Sequence, residues 1–255
     1  MQLNYRQLGQ GDETLVILHG LFGSLDNWVS IGNRLAERYK VFLVDMRNHG
    51  RSPHSTDHTY DAMADDLVVF FDQHQIKAAT LIGHSMGGKV AMTFAHGHAH
   101  LLNRMVVIDI APRAYPVHHD LIIRALQAVD LSSITTRNEA EDELSRLIEG
   151  NDTLQFLLKN LYREKTTDGR TQFAWRFNLD VIADEIQEVG IPQPWRCEVP
   201  TLFIRGSRSD YIRDSDIKEI EKLYPDAGFL TLETGHWVHA EDPKGVIRAL
   251  QAFME

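Results

Sequence analysis

The chain reads Gly83-His84-Ser85-Met86-Gly87-Gly88 directly after the apolar run Ala79-Thr80-Leu81-Ile82, and residues 89–95 then have the composition of a helix. A Gly-x-Ser-x-Gly pattern between a strand and a helix predicts a sharp turn that exposes the serine hydroxyl. Glycine at 83 and 87 lets the backbone turn tightly and lets the strand and the helix pack closely. This stretch therefore predicts a layered α/β fold with Ser85 as a candidate nucleophile.

Short apolar runs alternate with helical patterns along most of the chain. The runs are apolar throughout, which is typical of strands buried on both faces of a mainly parallel sheet. Helical spacing of apolar residues predicts flanking helices around 63–71 and 246–253. Residues 3–8 are expected to form an antiparallel edge strand. The predicted inner strands are 15–18, 41–45, 80–83, 105–110, 201–205 and 229–232.

The alternation stops between residues 112 and 195. This segment contains helical patterns at 120–129, 139–148 and 153–162 and no apolar run that predicts a buried strand. We therefore expect residues 1–111 and 196–255 to form a core domain and residues 112–195 a mostly helical cap insertion. Ligands of open α/β sheets bind beyond the carboxyl ends of the strands, so the cap is expected to lie there.

Composition excludes several classes of protein. The 255 residues are 43% hydrophobic and 24% charged, as in globular proteins, and the net charge of −10 disfavours a nucleic-acid partner. The single cysteine, Cys197, cannot form an intramolecular disulfide, and no apolar run is long enough to span a membrane or act as a signal segment. We expect a cytoplasmic enzyme without a membrane partner. The chain lacks a phosphate-binding loop, a cysteine cluster and a His-Glu-x-x-His helix, so no metal or cofactor is expected.

A serine nucleophile needs a base to take its proton and an acid to orient that base. His236 follows the last predicted strand, where strand ends converge on the serine turn, and is the expected base. Two aspartates are candidate acids: Asp210, after the strand at 201–205, and Asp109, at the end of the strand at 105–110. Asp109 lies between two isoleucines, and a buried carboxylate needs a partner. Both remain open, with a slight preference for Asp210.

Backbone N–H groups are expected to stabilise the negative charge of a tetrahedral intermediate. One donor is expected at Met86, directly after the nucleophile, and the second at Leu21, in the glycine-rich loop that follows the strand at 15–18. The candidate substrate-binding residues are Phe22, His84, Trp175 and Trp237.

Taken together, these residues resemble the α/β-hydrolase superfamily and, within it, the small bacterial carboxylesterases of the YbfF type. The resemblance implies a cofactor-free Ser-His-Asp esterase with Ser85, His236, Leu21 and Met86 in the roles given above. It also implies that some members take the acid from the position of Asp109. The resemblance is carried by His-Gly-Leu-Phe-Gly-Ser at 19–24, Asp-Met-Arg-Asn-His-Gly-Arg-Ser-Pro at 45–53, Gly-His-Ser-Met-Gly-Gly-Lys at 83–89, Trp-Arg-Phe-Asn-Leu at 175–179 and Gly-His-Trp-Val-His at 235–239.

Our leading hypothesis is the hydrolysis of small carboxylic esters or acyl thioesters through an acyl-enzyme, by a monomer or homodimer. One alternative is a carbon–carbon bond hydrolase or the cyclohexadiene-carboxylate synthase of menaquinone synthesis, either of which requires cations around its substrate. A second alternative is a ligand receptor with slow turnover on the same fold. The cations available to the first alternative are Arg124, Arg146, Lys159, Arg163 and Arg176.

Overall fold

A computed structural model describes residues 1–116, 119–166 and 169–255. The described residues form the strands β1 (Tyr5–Leu8), β2 (Thr14–Leu18), β3 (Lys40–Val44), β4 (Ala79–His84), β5 (Leu102–Ile108), β6 (Leu161–Lys165), β7 (Thr171–Trp175), β8 (Thr201–Gly206) and β9 (Ala227–Leu232). Seven of these strands form one sheet in the order β1-β3-β2-β4-β5-β8-β9, and β6 pairs with β7 in a separate hairpin.

The main sheet is parallel except for its edge strand β1, which runs antiparallel to β3. Alternate residues of a strand point to opposite faces, so a strand buried on both faces must be apolar at every position. In β2, Val16 and Leu18 pack into the core on one face, while Leu15 and Ile17 pack into the core on the other. The predicted mainly parallel sheet and antiparallel edge are confirmed.

Helices cover both faces of the sheet. On one face, α2 contributes Met63 and Phe70 to the core, and on the other α11 contributes Val246 and Leu250. The helices are α1 (Val29–Leu35), α2 (Tyr60–Gln73), α3 (Met86–His98), α4 (Asp120–Ala128), α5 (Arg137–Leu144), α6 (Asn151–Leu158), α7 (Leu179–Asp184), α8 (Ile186–Val189), α9 (Asp214–Leu223), α10 (Val238–Glu241) and α11 (Pro243–Met254). None of those formed by the described residues has the length and apolar character needed to cross a bilayer.

The segment between β5 and β8 holds α4 to α8, in agreement with the expected helical character. It also holds the β6–β7 hairpin, in which Leu161 pairs with Trp175. The expectation of a helix up to residue 162 is therefore wrong, since α6 ends at Leu158 and a strand begins at Leu161. The error has a physical cause: β6 is buried at Leu161 but half-buried or exposed at its other positions, so it carries no apolar run.

Both ends of this segment are held against α3. The Lys89 ammonium is fully buried and donates to the carbonyl oxygens of Arg113 and Ile191, at 2.9 Å for Arg113. Gln193 N–H also donates to the Pro112 carbonyl at 2.7 Å, which joins the entry of the segment to its exit. Because α3 begins directly after Ser85, these bonds anchor the 112–195 segment to the helix that carries the serine turn.

Candidate active site

Ser85 lies on the turn between β4 and α3, with φ 52° and ψ −118°. This is a strained conformation for a residue with a side chain, and such strain persists only where the surroundings impose it. A Cβ atom at Gly83 would lie 2.1 Å from the Gly87 carbonyl oxygen, and one at Gly87 would lie 2.6 Å from the His19 carbonyl oxygen. The two glycines of the motif are therefore required for the close packing that holds Ser85 in this position.

His236 follows β9 and bridges two other side chains. The Ser85 hydroxyl lies 3.0 Å from Nε2 of His236, and Nδ1 of His236 lies 2.8 Å from Oδ2 of Asp109. With the proton on Nδ1, the imidazole donates to the carboxylate and accepts from the serine hydroxyl. This is the arrangement in which a histidine can remove the proton of an attacking serine.

The two candidate acids have different surroundings. Asp109 is fully buried at the end of β5, and its carboxylate also accepts from the Gly206 N–H at 3.0 Å and from the Ser209 hydroxyl. The Asp210 side chain is 92% exposed, and its carboxylate lies 3.7 Å from Arg213. The preference for Asp210 is therefore corrected: the structure places Asp109 against His236. The backbone turns at Asp109 with φ 53°, which local sequence does not reveal.

Aromatic rings enclose His236 on two sides. The Tyr211 ring stacks on the imidazole with centroids 3.9 Å apart, and the His84 ring lies 4.8 Å away on a tilted plane. Burial lowers the pKa of His84 well below its usual value, and burial also lowers the pKa of His239 to about 3. These neighbours are therefore neutral near pH 7 and do not repel an imidazolium that forms at His236.

Both backbone N–H groups that the sequence predicts as oxyanion donors have no acceptor within the described residues. They belong to Leu21 and to Met86, the first residue of α3. By contrast, the N–H of Phe22 donates to Nε2 of His49 at 3.1 Å. The loop is close to the serine, since a Cβ atom at Gly20 would lie 3.3 Å from Cβ of Ser85. Leu21 and Met86 therefore have free donors on the residues expected from the sequence.

The loop that carries Leu21 is braced by residues 45–53. The ring of His19 has a bond on each nitrogen: Nδ1 donates to the Gly20 carbonyl at 2.8 Å, and Nε2 accepts from the Met46 N–H at 3.0 Å. The Asp45 carboxylate accepts from the Leu25 N–H at 2.7 Å. Because the Gly20 carbonyl and the Leu21 N–H share one peptide plane, the bond from His19 also orients the free N–H of Leu21.

A cavity of about 180 Å³ opens over Ser85. Three of the four predicted substrate-binding residues, Phe22, His84 and Trp237, line it. Trp175 does not: it is buried, stacks on Phe177 with centroids 5.5 Å apart, and faces a separate groove. The prediction for Trp175 is therefore wrong, because the hairpin turns this ring away from the serine. Among the described residues of this lining, none is a lysine or arginine.

Sequence reasoning missed several residues of the site. Tyr211 and Ser209 share the loop of the rejected Asp210, and their contacts with His236 and Asp109 leave no local pattern. The 112–195 segment also supplies one wall of the cavity. The described residues of that segment which line the cavity are His119, Ile122, Thr153, Phe156 and Leu157.

Comparisons with known proteins show the family to which this chain belongs. The sequence model of the alpha/beta hydrolase fold family matches residues 13–243. Esterase YbfF of Escherichia coli (strain K12) is 38% identical over 261 residues, which cover 100% of this chain and 99% of that protein. The sn-1-specific diacylglycerol lipase ABHD11 of Danio rerio is 41% identical over 259 residues, which cover 97% of this chain and 80% of the lipase.

Among solved structures, one described as a marine microorganism esterase superposes with a TM-score of 0.94. It is 42% identical, and the match covers 99% of each chain. The family model matches most of the sequence, and full-length relatives exceed 30% identity. The chain belongs to the α/β-hydrolase fold family.

Proposed function

We propose that the protein is a serine hydrolase that cleaves small carboxylic esters through an acyl-enzyme. The observation that carries the proposal is the unbroken chain of hydrogen bonds from Ser85 through His236 to Asp109, at 3.0 and 2.8 Å. Relatives named esterase and lipase support ester hydrolysis as the reaction class. In this proposal, Ser85 is the nucleophile, His236 the base and Asp109 the acid.

In the first half of the reaction, the ester binds in the cavity with its carbonyl carbon at the Ser85 hydroxyl. His236 takes the serine proton as the oxygen attacks, and the Asp109 carboxylate stabilises the imidazolium that forms. The carbonyl oxygen becomes an oxyanion, which accepts from the N–H groups of Leu21 and Met86. The tetrahedral intermediate then collapses, and His236 donates its proton to the departing alcohol.

In the second half, a water molecule replaces the alcohol. His236 removes a proton from this water as it attacks the acyl carbon, and the oxyanion again lies against the same N–H donors. Collapse releases the carboxylic acid and returns the proton to Ser85. Residues 112–195 act as a cap in this proposal, because Phe156 and Leu157 of α6 supply apolar wall above the serine.

The lining of the cavity favours ester hydrolysis over the alternative that requires cations. Carbon–carbon bond hydrolases and cyclohexadiene-carboxylate synthases need positive charge for the carboxylates of their substrates. The five cations available for that purpose do not lie among the described residues that line the cavity. Arg163 instead donates to the Thr135 carbonyl, and Arg176 lies over the Tyr162 ring. An acyl thioester would use the same residues and differs only in its leaving group.

The proposal is tested by measuring the hydrolysis of p-nitrophenyl butyrate by the wild type and by Ser85→Ala. The hydrolysis of a butyryl thioester is measured in parallel. Loss of the serine nucleophile is expected to lower kcat by about 10⁶-fold. The unfolding temperature of Ser85→Ala serves as the control for folding. Equal turnover by the two proteins would refute the assignment of Ser85, and relative kcat/KM values rank esters against thioesters.

A further inference from the structure

Asn160 makes a contact that the mechanism above does not use. It lies in the short connection between α6 and β6 and is 2% exposed. Its side-chain amide donates to the carbonyl oxygen of Phe22 at 2.7 Å. Phe22 directly follows Leu21, so an asparagine of the 112–195 segment holds the loop that carries a proposed oxyanion donor.

The backbone of Phe22 is held from two sides. From the core, His49 accepts the Phe22 N–H at 3.1 Å, and from the 112–195 segment, Asn160 donates to the Phe22 carbonyl. Phe22 has φ 57°, a left-handed conformation that is uncommon for a residue with a large side chain. Such a conformation is retained only where contacts impose it, and the bonds of His49 and Asn160 do so here.

This conformation matters because of its place in the chain. The loop folds back on itself between Gly20 and Gly23, where the Gly23 N–H donates to the Gly20 carbonyl at 2.9 Å. The same Gly20 carbonyl belongs to the peptide plane that carries the Leu21 N–H. A rotation at Phe22 would therefore shift Gly23 and break this bond, which leaves the peptide that presents the Leu21 donor held by His19 alone.

Asn160 is itself rigidly placed. The backbone N–H of Asn160 donates to the Leu157 carbonyl at 3.0 Å, and the backbone carbonyl of Asn160 accepts from the Arg176 N–H at 3.0 Å. Leu157 lines the cavity, and α6, the helix that forms the apolar wall, ends at Leu158, two positions before Asn160. A second contact joins the same parts of the molecule, since the Phe22 ring packs edge-on against Phe177 at 5.1 Å.

We propose that Asn160 is a positioning residue for the oxyanion hole: its bond to the Phe22 carbonyl makes correct seating of the 112–195 segment a condition for presenting the Leu21 N–H to the reacting carbonyl. This inference rests on the proposed serine hydrolase function. It assigns Asn160 no contact with substrate. Loss of the bond therefore weakens transition-state stabilisation while leaving the apolar walls that bind the ground state in place.

The test compares Asn160→Ala and the nearly isosteric Asn160→Asp with a matched control, Asn178→Ala. Asn178 also joins the 112–195 segment to the core, through a bond from its amide to Oδ1 of Asn48 at 3.3 Å, but it does not contact the loop of Leu21. For each variant, kcat, KM and the inhibition constant of an alkyl boronic acid are measured, together with the unfolding temperature. The boronic acid forms a tetrahedral adduct on serine and therefore reports on the oxyanion hole.

Both variants of Asn160 are expected to lower kcat by about 10- to 100-fold, less than the roughly 10²–10³-fold cost of deleting an oxyanion donor. KM is expected to stay within about threefold, and boronate affinity to weaken by the same factor as kcat/KM. Asn178→Ala is expected to keep near wild-type kcat. If one Asn160 variant does not fold, the comparison uses the other variant, and its unfolding temperature serves as the control for folding.

Two results overturn the inference while leaving the proposed function intact. The first is wild-type kcat and boronate affinity in a folded Asn160 variant, with turnover abolished in Ser85→Ala. The second is an equal loss of kcat in Asn178→Ala, which would mean that any loosening of the segment has the same effect. Turnover that survives Ser85→Ala would instead refute the proposed function itself, and the inference would fall with it.

Discussion

Replacing Asp109 by asparagine perturbs the site at the atom that orients the base. Oδ1 of Asp109 accepts from the Gly206 N–H, while Oδ2 accepts from His236 and from the Ser209 hydroxyl. An asparagine that keeps its oxygen on Gly206 turns an NH₂ group toward Nδ1 of His236. Because this NH₂ group is a donor, Nδ1 of His236 must act as an acceptor, and the imidazole proton moves to Nε2. Nε2 then no longer accepts a hydrogen bond from Ser85. If the asparagine amide took the opposite orientation, its NH₂ group would face the N–H of Gly206, and both of these groups are donors.

The expected size of this effect follows from the loss of the correct tautomer. The same change in a serine protease triad lowers turnover by about 10⁴-fold. At about 1.36 kcal/mol for each factor of ten, this corresponds to about 5.4 kcal/mol of transition-state stabilisation. Asp210→Asn is the matched control, because its side chain is 92% exposed. Surface substitutions of this kind change the free energy of unfolding by about 0.5 kcal/mol or less. The Asp210 carboxylate lies beside Arg213 and not beside His236, so kcat should stay close to the wild-type value.

The assay is steady-state hydrolysis of p-nitrophenyl butyrate at pH 8 by the wild type, Asp109→Asn and Asp210→Asn. Circular dichroism spectra and unfolding temperatures of the three proteins control for folding, since Asp109 is buried. A loss of kcat in Asp210→Asn as large as that in Asp109→Asn would refute the reasoning. So would a folded Asp109→Asn variant that retains wild-type turnover.

Two further predictions concern stability and selectivity. Unfolding free energy is expected to fall as pH drops below about 6.5, because buried histidines with lowered pKa stay neutral while the unfolded chain binds protons. A histidine whose pKa in the folded protein is about 4, such as His58, contributes a slope that approaches about 1.4 kcal/mol per pH unit between the two pKa values. Denaturant titrations at several pH values check this, and a flat profile would contradict it. Phe156→Ala is expected to raise the kcat/KM ratio of octanoyl to butanoyl esters by about tenfold or more. The reason is that the cavity, at about 180 Å³, is only slightly larger than the roughly 150 Å³ that holds one benzene. An unchanged ratio would contradict the role of Phe156 as a wall that limits the acyl chain. The buried histidines on which the pH dependence of stability rests are His19, His49, His58, His84 and His239.

The central sheet was predictable because burial on both faces leaves a strong pattern. Every position of β4 is buried, and from Ala79 to Gly83 the strand appears in the sequence as an uninterrupted run of small or apolar side chains. The β6–β7 hairpin has no such pattern. Its strands alternate between buried and less buried residues, such as the buried Phe173 and the half-buried Gln172, and short alternations of this kind also fit the end of an amphipathic helix.

The site was predictable where chemistry is tied to a local motif. Ser85 and Met86 belong to one turn, and Leu21 belongs to a glycine-rich loop, so sequence alone located them. Which aspartate contacts His236 was not predictable in this way, because β5 and β8 are neighbours in the sheet and each is followed by an aspartate. The choice depends on backbone direction at Asp109, where φ is 53°, and on the exposure of the Asp210 side chain.

The contacts made by the 112–195 segment were even less accessible to sequence reasoning. Trp175 and Phe156 are both aromatic residues of that segment, yet only Phe156 faces the cavity. Asn160 contacts Phe22 across 138 positions of the chain. No periodicity encodes a single hydrogen bond between residues so far apart in sequence, so such contacts emerge only from the folded arrangement.

The most direct test of the account is capture of the acyl-enzyme. The protein is mixed with p-nitrophenyl butyrate, quenched in acid during turnover, digested and analysed by mass spectrometry. The account predicts a butyryl group on the peptide that contains Ser85, at the side-chain oxygen, and none on that peptide in the Ser85→Ala variant. Steady hydrolysis with the butyryl group on another residue, or with none on any peptide under the same quench, would contradict it.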